Sequence, residues 1–137
     1  MAVLALCGAE VAVLALSAGA GRAGDPVAVP SGQRVELYEV IWNDPGENGM
    51  AVRFRFIAPQ IARDGGTIAP EVALADMDHL CRAHALPEVD RIADPRPDEI
   101  IISLSDMPVP FGTTMPEATQ FIEVYLIEDG TCVYEGF

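Results

Sequence analysis

One segment restricts the fold more than any other. "APEVALADMDHLCRAHALP", residues 69–87, is the single strongly helical stretch, with Pro70 suited to a first turn and Pro87 expected beyond the end. Ala73, Met77, Leu80, Cys81 and His84 recur at helical spacing and form one apolar stripe, while Asp76, Asp78 and Arg82 fall off it. The remaining apolar segments alternate with period two. "RVELYEVIWND" puts Val35, Leu37 and Ile41 on one face and Tyr38, Val40 and Trp42 on the other. After the turn formers "DPGENG", "MAVRFRFIAP" places Val52, Phe54 and Phe56 opposite Arg53 and Arg55, so a hairpin is expected in which the arginines meet Glu36 or Glu39. "IIISLSD" reads as a short buried strand, and "QFIEVYLIED" turns at Asp129-Gly130 into "TCVYEGF". The order is ββαβββ, an α+β fold with an antiparallel or mixed sheet and one main helix packed on a face.

Length and charge bound the rest. At 137 residues, half of them apolar, the chain supports one core, expected over 34–137 after an extended lead-in at 24–33. A net charge of −13 repels nucleic acid and anionic lipid and favours a basic protein patch or a divalent cation. Residues 1–23 differ in kind. Their short apolar run ends in Gly21-Arg22-Ala23, which fits a secretory signal peptide cleaved after Ala23; a buried N-terminal helix is the alternative. Export would place the mature chain in the periplasm or outside the cell, without stable membrane insertion, and would remove Cys7.

Two cysteines then remain. An even pair in an oxidising compartment reads as one disulfide, Cys81 to Cys132, and Cys81 on the buried stripe suits a helix-to-sheet link. Neither a four-ligand zinc set nor a Cys-x-x-Cys redox pair is present.

Chemistry is sparse. Within "DMDHLCRAHA", Asp76 and His79 stand three apart on one helical face and are the catalytic candidates, able to bind a metal or shuttle a proton; the His-Glu-x-x-His spacing is absent. Glu123 and Glu135, on the two arms of the last hairpin, form a second carboxylate pair if they share a face. Ser103 and Ser105 lie in no nucleophile elbow, and no phosphate-binding glycine loop exists. No cofactor and no metal is expected. The functional reading is a non-catalytic binding module with an envelope protein as partner; a small metal-dependent or acid/base enzyme at Asp76 and His79 is the alternative.

The stretches "RFRFIAPQIARDGG", "ADMDHLC", "EIIISLSDMPVPFG" and "PEATQFIEVYLIEDGTCVYEGF" resemble a small, uncharacterised family of exported bacterial proteins of unknown function. The resemblance runs roughly from Val29 to Phe137 and includes both cysteines, which implies their pairing. Members are often labelled acetolactate synthase. The thiamine-diphosphate motif of that enzyme, Gly-Asp-Gly followed by an Asn pair, is missing here, so the resemblance implies a common fold and no activity.

Overall fold

The computed structural model describes residues 22–46, 48–92 and 94–135; the expected leader, except Arg22 and Ala23, lies outside the described residues. Five strands form one mixed sheet in sequence order: β1 (Glu36–Gly46), β2 (Gly49–Ile57), β3 (Glu99–Ser105), β4 (Gln120–Glu128) and β5 (Thr131–Tyr134). β1–β2, β3–β4 and β4–β5 pair antiparallel. β2 and β3 are parallel, and the required crossover is the helical segment. The expected ββαβββ order is the one observed. β3 is buried along its whole length, as suits the central strand of the five.

The strands alternate, but β1 does so with two interruptions. Leu37 faces Phe56 and Glu39 faces Arg55, leaving Tyr38 as an extra residue; Ile41 faces Arg53 and Asp44 faces Ala51, leaving Trp42 and Asn43 opposite Val52 alone. Each extra residue reverses the alternation. Leu37 and Val40 therefore share the core face, against Phe56 and Phe54, and Ile41 turns to the arginine face. On that second face Arg55 binds Glu39 at 2.5 Å, and Arg53 binds Asp44 at 2.8 Å rather than Glu36. The loop after β3 folds back over both: the Val109 carbonyl accepts from Arg55 Nη2 at 2.5 Å, and the Phe111 ring lies 5.3 and 5.7 Å from the two guanidiniums. A nearly buried arginine is tolerable because its donors are satisfied in this way.

The helix extends past its expected end. It runs as α1 (Pro70–His79), a π-helical segment (Leu80–Ala85) and α2 (Leu86–Ile92), with Pro87 inside it. Proline has no N–H and its ring collides with the carbonyl four residues back. Widening the preceding turn relieves that collision: Leu86 N–H donates to the Cys81 carbonyl, five residues back. The wide turn also inserts one residue into the apolar stripe. Ala73, Met77, Leu80 and Cys81 are buried as the spacing predicts, but Ala85, Leu86 and Val89 then take over and His84 is left at the margin, half-buried. These residues pack on Phe54, Phe56, Ile100, Ile102, Leu104 and Tyr125 to form the core.

The lead-in runs beside β1. Gly24 N–H donates to the Leu37 carbonyl at 2.6 Å, Leu37 N–H to Asp25 at 3.0 Å and Val27 N–H to Val35 at 2.9 Å. This covers backbone groups that an edge strand otherwise offers to other chains.

Candidate functional site

Asp76 is fully buried rather than off the stripe, because the lead-in folds over it. Its Oδ1 accepts from Ser31 N–H at 3.0 Å; its Oδ2 accepts from Ser31 Oγ at 2.5 Å and Gln33 Nε2 at 2.7 Å. Both oxygens hold the lead-in to the helix. Half-buried His79, one turn further on, has neither a hydrogen bond nor an ion pair to Asp76 among the described residues. The fold thus does not bring the two candidates together. His84 lies edge-on to Phe54 and Phe56, with centroids 6.3 and 5.7 Å away. Burial lowers its pKa from the ordinary value, while the charges of Glu88 and Asp25 oppose that shift.

Cys81 Sγ is bonded to Cys132 Sγ, with Cα atoms 6.2 Å apart, so the π-helical segment is fastened to β5. Glu123 and Glu135 do not form a pair. Glu135 N–H bonds to the Val124 carbonyl, which places Glu135 across from Val124, and neighbours along a strand point to opposite faces. Glu135 instead accepts from Asn48 Nδ2 at 2.7 Å, and the same amide donates to buried Glu99 at 2.9 Å. Gly46 makes this approach possible, since a Cβ there would lie 1.6 Å from Glu99 Oε1. Among the described residues no group of three or more His, Cys, Asp or Glu is placed to hold a metal ion.

The site that does assemble is one the sequence pattern hides. At the second interruption of β1, Asn43 takes φ 57°, a left-handed conformation uncommon outside glycine. Trp42, beside it, sits edge-on to Phe54 at 6.3 Å yet remains 36% exposed. Met50 and Val52 of β2, Ile92 at the end of α2 and the segment Asp94–Asp98 complete a cavity of about 440 Å³. Met50 is 41% and Ile92 46% exposed. The loop is anchored to β2 from both directions: Asp98 N–H donates to the Met50 carbonyl at 2.8 Å, and Met50 N–H donates to Asp98 Oδ2 at 3.0 Å. Arg96 is paired with Asp90, so Asp94 and Asp98 give the rim its negative charge. Alternation puts Trp42 on one strand face with Tyr38 and Val40; only "NDPG" just after it signals that the strand breaks there.

Comparison with known proteins gives one match. The family described as "Family of unknown function (DUF6497)" matches residues 8–137. No curated protein and no solved structure matches the chain.

Proposed function

The chain belongs to the DUF6497 family of unknown function, and from that premise we propose that it is an exported, non-catalytic binding module that docks a protein partner at the Trp42 cavity. The convergence of Trp42, Met50 and Ile92 carries this reading. Single exposed apolar side chains are ordinary, but three large ones from separate elements around one cavity are the usual composition of a binding centre. Tryptophan and methionine are enriched in interface cores, and methionine adapts to different partners. The acidic rim and the net charge of −13 favour a partner segment in which an apolar side chain is flanked by arginine or lysine.

Export is supported by the Cys81–Cys132 bond, because such bonds persist in oxidising compartments. No helix among the described residues is long and apolar enough to cross a membrane. The enzyme reading at Asp76 and His79 has no observation in its favour, since the Asp76 carboxylate is engaged by Ser31 and Gln33.

A photo-crosslinking residue at Met50, in the native cell envelope, tests the proposal. The expected result is a discrete protein adduct that is absent from a control at exposed Glu71, is lost on Trp42→Ala and weakens as salt screens the acidic rim. Equal adducts from both positions would refute it.

A further inference from the structure

A second cavity, of about 330 Å³, opens between α1 and the β4–β5 hairpin, lined by Leu74, Ala75, Asp78, Tyr125 and Tyr134. Tyr125 forms its floor. The residue is 1% exposed and lines the cavity. As a lining residue it offers a hydroxyl that can donate to a group bound in the cavity. The groups acting on it place it there: burial raises its pKa well above the ordinary range, Asp78, Glu123 and Tyr134 raise it further, and Arg82 opposes them. The phenol therefore stays protonated and can donate.

The walls define the chemistry. The Tyr134 ring, half exposed, stands 5.9 Å from that of Tyr125 and tilted by 59°, giving two aromatic faces at one corner. Hydrogen bonding to the Glu123 carboxylate raises the Tyr134 pKa, which sets that carboxylate beside the groove. Asp78 pairs with Arg82 at 3.0 Å. Asp78 is the charged residue of the lining, Arg82 and Glu123 flank it for a formal charge of −1 over the three, and Leu74 and Ala75 supply aliphatic surface. An anion is repelled by this set. We propose that the groove binds a small monovalent organic ammonium ion. Its alkyl groups lie on Leu74, Ala75 and the tyrosine rings, its charge faces Asp78 and Glu123, and the Tyr125 hydroxyl bonds a polar substituent. Aromatic faces beside carboxylates recognise such ions because the ring quadrupole and the anionic charge both attract the cation. The Tyr125 groove shares no lining residue with the Trp42 cavity and does not rest on its assignment.

The test is an NMR titration of the disulfide-bonded protein with choline, with tetramethylammonium, and with choline's uncharged carbon isostere. Saturable choline binding in the millimolar range is expected, with amide shifts centred on Leu74, Ala75, Asp78, Tyr125 and Tyr134. The uncharged isostere should bind about tenfold more weakly, and Tyr134→Ala should weaken choline about fivefold or more. Tyr125→Phe, which keeps the packing, should weaken choline and leave tetramethylammonium unchanged. Trp42→Ala should alter none of this, so failure here is distinguishable from failure of the partner-docking proposal. Equal binding of the uncharged isostere, shifts centred elsewhere, or no saturation would overturn the assignment.

Discussion

Replacing Asp76 separates a structural carboxylate from a catalytic one. In the native fold its two oxygens accept three hydrogen bonds, two from Ser31 and one from Gln33. Ser31 is exposed, so on Asp76→Ala its donors return to water, and each lost bond costs about 1 kcal/mol. Gln33 is buried, and its amide loses its acceptor where water does not reach it, a cost of about 2 kcal/mol. The sum is about 4 kcal/mol, a melting temperature lower by about 15 °C for a domain of this size. Thermal denaturation followed by circular dichroism measures it. Ser31→Ala supplies the internal check: its Oγ donates to Asp76 and also accepts from Gln33 N–H at 3.1 Å, so the change should cost about 2 kcal/mol in the wild type and about 1 kcal/mol in the Asp76→Ala background. An Asp76→Ala protein that melts with the wild type, or Ser31 and Asp76 effects that simply add, would refute the latch and return Asp76 to the list of catalytic candidates.

Three further outcomes are expected. Cys81→Ser with Cys132→Ser should lower the unfolding free energy by about 4 kcal/mol, the chain-entropy value for their separation of 51 residues, read from urea denaturation. His84 is held neutral by burial, so its folded pKa lies below the unfolded 6.5 and the unfolded chain binds the extra proton. Its contribution to stability is complete above that pH and lost as pH falls from there toward the folded pKa; between pH 7 and pH 5 the urea midpoint of the wild type should therefore fall more than that of His84→Gln. Deleting exposed Ala83 should remove the inserted residue of the π-helical segment but return Pro87 to a regular helix interior, at about 3 kcal/mol, and Pro87→Ala should restore most of that loss.

Much of the fold is legible in the sequence because period is a strong signal where both neighbours of a strand or a helix turn are regular. Phe54 and Phe56 alternate with Arg53 and Arg55, and the structure keeps that alternation against Ile100, Ile102 and Leu104. Asp129 and Gly130 both take positive φ, as a tight turn between antiparallel strands requires. The parallel step from β2 to β3 is less visible, since nothing in "IIISLSD" states which neighbour it will choose. Asp76 could not be read as buried either. Its partners, Ser31 and Gln33, lie more than forty residues earlier in a segment with no periodicity of its own.

The sites were hidden for a related reason. A stripe drawn at helical spacing includes His84, and alternation in β1 puts Trp42 on one face with Tyr38 and Val40; both assume that no residue is inserted. Insertions occur in both places, one forced by Pro87 and one marked by Asn43 in the left-handed region. Neither is an accident of packing, because the surrounding contacts fix each of them. The disulfide holds Cys81 at the start of the wide turn, and the paired strand on either side of Trp42 holds its register. An interruption held this firmly redirects a side chain at little cost to the core, and here one interruption sets Trp42 on the rim of the larger cavity. The other directly follows α1, whose Leu74, Ala75 and Asp78 line the smaller cavity with Tyr125 and Tyr134. Where the local rule fails while the core around it remains consistent, the departure itself is the sequence-level mark of a site.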